Sequence, residues 1–376
     1  MNVFDVADTI VNHIKANYPD DIAIIAYYGS YAQGMATKRS DLDFFFIPAT
    51  PDGYRASVQF ILNEISFDFW PISWERAGRM ASFEDPFTTI IMDCQLLYVR
   101  SDEDMDRFMK LRDCISARRE PSHGQVLTEK AETLLRDAYK HLYKMNRADD
   151  LDNMTFYRTE AHGVLTKVLQ SLALLNQTYF TRGWGKNIDQ ILQLPLKPPR
   201  LEHFLDVIMN ASLPEYIRSA CEQLTVDTLD LVKRQKEKVS STPSYPDRMK
   251  GFYEETKGTL DKIISACEIN DYNTAFFAAI GIQDEIARFL FFADKGHWPC
   301  NLEPNSAYQA IYKELGFPDM VVLLDRQDLT PLQAAVERLS ALLESHLRTQ
   351  GVQINRFLNI EQFETFLKKQ HVITES

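Results

Sequence analysis

Two aspartates one residue apart, Asp41 and Asp43, follow a Gly29-Ser30 dipeptide after ten intervening residues. In extended backbone, residues i and i+2 share a face, so this pair would present two carboxylates side by side. Paired oxygen donors of that kind suit a hard divalent cation. The Gly-Ser turn comes straight after the apolar run Ile22 to Tyr28. A turn there lets backbone amides and a hydroxyl approach a phosphate chain. Metal-binding carboxylates beside such a turn describe a nucleoside-triphosphate site.

These residues need a sheet to hold them. Phe4, Ala7, Ile10, Val11 and Ile14 recur at helical spacing, which predicts an amphipathic helix over 3–16. Ile22 to Tyr28 then reads as a strand, followed by the turn with a short helix in which Gly34 supplies a positive φ. Asp41 opens the run Asp-Leu-Asp-Phe-Phe-Phe-Ile47, read as a second strand. A helix is expected near 54–63, then a strand over Ile65 to Trp70 that carries Asp68 between apolar neighbours. A charge in that setting is costly unless it meets a cation. Gln95 to Arg100 completes the strands, and Ser101 caps a helix whose first turn holds Asp102, Glu103 and Asp104.

The motif Gly29-Ser30-Tyr31-Ala32-Gln33-Gly34 with Ser40-Asp41-Leu42-Asp43 resembles that of the polymerase β nucleotidyltransferase superfamily, in its minimal and antibiotic-modifying (kanamycin nucleotidyltransferase-like) branches. Asp68 stands where the superfamily uses a third carboxylate on a later strand. The resemblance covers about the first hundred residues. It implies an α+β fold: a mixed β-sheet with flanking helices, followed by a large all-α region. It also implies transfer of a nucleoside monophosphate, AMP from ATP, onto a small-molecule hydroxyl with release of pyrophosphate. Asp41 and Asp43 would bind the nucleotide-associated Mg²⁺, and Asp68 with the pair a second Mg²⁺. Gly29 and Ser30 would hold the β and γ phosphates, with Lys38 and Arg39 available for phosphate contact. An aminoglycoside-like acceptor is implied by the kanamycin nucleotidyltransferase group. The alternatives are an antitoxin-type AMP transferase acting on a protein side chain and a catalytically silent binding protein.

After Pro121 the pattern is helical: a stripe from Leu127 to Met145, a second from Phe156 to Phe180 with Gly183 as its stop, and further helices over about 201–238. Ser240 to Pro246 reads as a linker, which gives units 1–120, 121–240 and 248–376. Antibiotic-modifying members of the superfamily take a glutamate, and a lysine four positions later, from the first helix after the sheet domain. Here Asp137, His141 and Lys144 flank one edge of that helix. Asp137 is therefore the candidate base and Lys144 the candidate phosphate contact, with Lys140 and Glu160 as weaker alternatives. Arg136 and His141 also spell the Arg-x4-His of HEPN ribonucleases, a short and unspecific match. Gly183 to Asn187 reads as a helix-terminating turn, with Tyr179 and Trp184 placed to wall a substrate cleft. Phe276, Phe277, Phe289, Phe291 and Phe292 read as core.

At 376 residues, 45% hydrophobic and 25% charged, the chain is ordinary globular protein of more than one unit. A net charge of −12 argues against a broad nucleic-acid footprint and favours cationic small molecules. No run reaches the roughly 20 apolar residues of a membrane span, and acids sit near the N-terminus where a signal peptide carries positive charge, so a cytoplasmic protein is expected. Five scattered cysteines fit reduced thiols and give no zinc pattern.

Overall fold

The computed structural model describes residues 2–38, 40–150, 152–238, 243–303 and 306–374, without the side chains of Trp184 and of 369–374. It divides into two compact units, Met1–Lys236 and Glu237–Ser376. The fold is α+β: a mixed sheet near the N-terminus, then helices.

The first unit opens with helix α1 (Val3–Asn17), capped by the Asn2 side chain. Strand β1 (Ile22–Tyr28) runs into a one-turn helix α2 (Gly29–Ala32). Strands β2 (Asp43–Pro48), β3 (Val58–Leu62), β4 (Ile65–Pro71) and β5 (Gln95–Val99) complete the sheet. Their spatial order is β3-β4-β2-β1-β5, with β2 and β4 parallel and the other neighbours antiparallel.

Alternation in these strands sorts the faces. Phe44, Phe46, Phe67, Phe69, Ile22 and Ile25 form one core with Val3, Val6, Ala7, Val11 and Ile14 of α1. Each fully buried phenylalanine contributes on the order of 1.5–3 kcal/mol. Asp43 and Phe45, which alternate with Phe44 and Phe46, face the other way. That side is covered by α3 (Trp74–Ala81), α4 (Thr88–Met92) and α5 (Asp102–Arg118), which pack on one another and, through α5, on β1 and β5. Ser101 caps α5 by accepting from Asp104 N at 3.2 Å.

Three expected elements differ. Residues 54–63 are not a helix: a 3-10 turn over Pro51–Ala56 leads into β3. Asn63 and Glu64, with φ of 50° and 61°, form the tight turn to β4. Both central residues have the positive φ that a two-residue hairpin needs, and Asn accepts it readily. Asp41 lies just ahead of β2, which begins at Asp43. The second long helix stops at Leu175, not Gly183. Asn176 turns its amide to Leu172 O and Leu196 O, and Gln177 takes φ of 50°.

Helices α6 (Gly124–Asn146) and α7 (Met154–Leu175) form the closest helix pair, joined by α8 (Ile188–Leu192), α9 (Leu201–Asn210) and α10 (Pro214–Lys236). A buried Lys236–Glu132 ion pair ties α10 to α6. In the second unit, α11 (Tyr245–Arg248) precedes α12 (Phe252–Glu268), α13 (Tyr272–Lys295), α14 (Tyr308–Glu314), α15 (Thr330–Thr349) and α16 (Ile360–Thr374). Its core is built mainly from α12, α13 and α15. Phe277 is not in that core, being 77% exposed, whereas Phe292 stacks on Trp298 at 4.5 Å. All five cysteines are free thiols. Among the described residues no helix is long and apolar enough to cross a membrane.

Candidate functional site

Strand register assembles the acids. Tyr28 of β1 lies opposite Asp43 of β2. In the parallel β2–β4 pair Phe44 aligns with Phe69 and Phe45 with Trp70, and the same offset carries Asp43 to Asp68. Asp68 in turn lies opposite Gln59 of β3, whose Nε2 donates to Asp68 Oδ1 at 2.8 Å. Tyr28, Asp43, Asp68 and Gln59 thus form one row across four strands, on the sheet face opposite α1, with side chains about 5 Å apart from strand to strand. Asp41 stands at the mouth of β2, two residues before Asp43, with the buried Leu42 between them.

The charges in this row repel. Burial, then the neighbouring Asp41 and Asp68, push the Asp43 carboxyl up to about 6. Burial raises the Tyr28 phenol to about 12, with Asp43, Asp68 and Asp41 adding to the effect. An all-carboxylate set with uncompensated charge is the donor chemistry Mg²⁺ takes. Among the described residues no group of three or more His, Cys, Asp or Glu already closes on a single metal position. Asp41 and Asp68 act on Asp43 through their charge without sharing a ligand point with it. The carboxylates match a divalent cation in donor chemistry, with Asp43 and Asp68 in one row and Asp41 two residues ahead of it.

The Gly29-Ser30 turn packs directly on this row. Gly29 has φ of +73°, and a Cβ built on it would lie 2.1 Å from Asp43 Oδ2. Both the backbone angle and the contact demand glycine. Ser30 O accepts from Met35 N at 2.8 Å, which folds the turn back on itself, and Gly34 has φ of +68°. Arg39 lies outside the described residues, and Lys38 is exposed.

The α6 candidates separate. Asp137 is bound by Lys140 at 2.6 Å and lies 3.9 Å from Lys167 of α7. The Lys140 hydrogen bond holds its carboxyl below the usual carboxylate range. His141 and Lys144 turn instead to Glu160 of α7, with His141 Nδ1 2.7 Å from Oε2 and Lys144 Nζ 3.1 Å from Oε1. Burial alone would raise Glu160, but hydrogen bonds from His141 and Lys144 outweigh it and leave the pKa lowered. Gly163 makes room for the His141 ring, whose Cε1 would be 2.3 Å from a Cβ there. This group stitches α6 to α7, and Arg136 points to the surface apart from it.

A cleft of about 450 Å³ opens between the α3–α4 loop and helices α6 and α7. Asp137 and Tyr179 line it; Asp41, Asp43 and Asp68 do not. A short hydrogen-bonded chain nevertheless joins the two places. Tyr179 OH donates to Asp93 Oδ1 at 3.1 Å, and Thr89 Oγ1 lies 2.9 Å from Asp93 Oδ2 and 3.3 Å from Thr181 O. With one proton, the Thr89 hydroxyl serves one acceptor at a time. Gln33, in the turn that follows Ser30, donates its amide to the same Thr181 carbonyl. Tyr28, Gln59, Asp93 and Thr89 escaped sequence reasoning. Register alone reveals the first two, and neither Thr89 nor Asp93 carries a local motif.

The fold defines an α+β chain in which a mixed five-stranded sheet is followed by helices. Residues 105–238, which span most of α5 through α10, match the family model described as KNTase C-terminal domain. No curated protein matches the chain. Among solved structures it is similar to a nucleotidyltransferase-like protein from Exiguobacterium sibiricum 255-15, at 11% identity and a TM-score of 0.38, over 61% of this chain and 76% of that one.

Proposed function

We propose that the chain is a nucleotidyltransferase that moves AMP from ATP onto a hydroxyl and releases pyrophosphate. The observation that carries this reading is the row in which Asp43 aligns with Asp68, beside Asp41 and beneath a Gly29 turn that leaves room only for the Asp43 carboxylate. The helical family match over 105–238 supports it independently.

In this reading Asp41, Asp43 and Asp68 hold Mg²⁺, which when bound neutralises phosphate charge and lowers the pKa of the attacking hydroxyl. The Gly29-Ser30 turn orients the triphosphate tail through its amides and the Ser30 hydroxyl, with Arg39 as a further phosphate contact; Lys144, paired with Glu160, is left out of this role. The acceptor oxygen attacks the α-phosphorus and forms a new P–O bond. The bond to the β-phosphate oxygen breaks, and pyrophosphate leaves with the electron pair. Asp137, ionised and on the cleft wall, takes the acceptor's proton. Lowered basicity under Lys140 makes it a modest base, so positioning and charge neutralisation carry more of the rate.

Incubation of the full chain with ATP labelled at the α-phosphate, Mg²⁺ and a panel of hydroxyl compounds tests the reading. Label in a small product together with free pyrophosphate supports it. Absence of nucleotide binding in a calorimetric titration removes it.

A further inference from the structure

The cleft beside α6 and α7 has a composition that selects among acceptors. Its walls carry Phe83, Pro86, Leu134, Leu174, Tyr179 and Phe180. Its three carboxylates are each already held by a cation: Glu84 by Lys130 at 3.1 Å, Asp85 by Arg76 at 3.1 Å, and Asp137 by Lys140 at 2.6 Å. A polycationic guest would have to displace these partners one by one. An aromatic body finds apolar faces at once.

Phe83 supplies a second observation. It ends α3 with φ of +63°, and Glu84 N returns to Arg79 O at 2.9 Å, the closing bond of a helix cap in which glycine is usual. A bulky aromatic residue in left-handed backbone is an outlier, and such strain persists where the surroundings enforce it. The ring is 7% exposed and packs against Tyr179 with centroids 6.3 Å apart. The backbone here favours glycine, yet the chain places an aromatic wall.

The cleft is connected to the acid row through β5 and β1. Tyr179 binds Asp93, two residues before Gln95, which pairs with Tyr27 next to the Asp43 partner Tyr28. Two strand spacings, about 10 Å, separate Gln95 from the strand that carries Asp43.

We infer that this cleft binds a hydroxyl compound with an aromatic body and no ammonium groups, a phenol or aryl alcohol, and presents it as the acceptor; the acceptor role rests on the proposed nucleotidyl transfer. The hydroxyl proton goes to Asp137 as the oxygen bonds to the α-phosphorus, and pyrophosphate is the leaving group.

The test uses the full chain with 2-naphthol and 2-phenylethanol as aromatic probes and kanamycin as the polycationic one. Binding is read without nucleotide by saturation-transfer NMR, and transfer separately with labelled ATP and Mg²⁺. Thr133→Trp, at an exposed position on the cleft rim, fills the space, and Gln170→Trp on α7 does so from the other side. The expected result is binding of an aryl alcohol, weakened roughly tenfold or more in at least one folded filling variant, with label appearing on that alcohol and none on kanamycin. Absence of aryl-alcohol binding, binding indifferent to both fillings, or preferred labelling of kanamycin overturns the inference. Aryl-alcohol binding that the fillings abolish, with no label transferred to any acceptor, contradicts the nucleotidyl-transfer reading and upholds the ligand class.

Discussion

The backbone of Gly29 lies against the carboxylate of Asp43 so closely that a methyl group there would sit 2.1 Å from Oδ2. The left-handed φ of +73° adds a second objection to any other residue. Gly29→Ala should therefore cost about 1–3 kcal/mol from backbone strain alone and push Asp43 out of its row. Thermal unfolding of the two proteins measures this. An unchanged melting temperature would show that the turn relaxes freely, against the tight packing described.

Asp43 is held at about 6 in the folded chain against an ordinary value of 3.8. The folded state thus grips this proton more tightly than the unfolded state does. Stability from this group is intact at pH below about 4, declines as pH rises through the interval, and stays lost above about 6. Asp43→Asn removes the penalty. Its melting temperature should exceed wild type at pH 7.5 in the absence of divalent cations, with the gap closing as pH falls towards 4. A gap independent of pH would contradict the crowding of Asp43 by burial, Asp41 and Asp68.

In the proposed function, Ser30 is assigned to the triphosphate tail. Ser30→Ala should weaken binding of a non-hydrolysable Mg·ATP analogue by about 1.5–3 kcal/mol, the worth of a hydrogen bond to a charged group. Calorimetric titration reads it directly, and equal affinities would make the turn purely structural.

Asp137 and Lys140 give a kinetic test. Asp137→Asn should slow transfer by about a hundredfold to ten-thousandfold without changing nucleotide affinity. Lys140→Met removes the group that holds the Asp137 pKa down. The acid limb of the pH–rate profile, where Asp137 gains its proton and the rate falls, should then shift to higher pH. Superimposable profiles would deny Asp137 the role of base.

Much of the site was legible because its signals are local. Gly29-Ser30, the spaced acids and Asp68 are each carried by a few adjacent residues, and the period of two in a strand sets Asp43 and Phe45 on the sheet face opposite Phe44 and Phe46. The α+β organisation followed from the change of apolar period after Pro121. What escaped depends on pairing. Residues 54–63 read as a helix because Val58 to Leu62 is too short to distinguish periods, and only the positive φ at Asn63 and Glu64 marks the hairpin. On α6, wheel position grouped Asp137 with Lys144, but partners on α7 decide: Lys167 draws near the one and Glu160 binds the other. No helical wheel contains that information.

The most direct test is the rate of AMP transfer from labelled ATP with Mg²⁺ in Asp43→Asn, measured beside wild type under identical conditions. Loss of metal-supported stabilisation, several kcal/mol at the reacting phosphorus, predicts that transfer falls below about a tenth of wild type and in practice to background, while circular dichroism shows an intact fold. Asp43→Asn retaining more than roughly a tenth of wild-type turnover would contradict the assignment of this row as the catalytic centre.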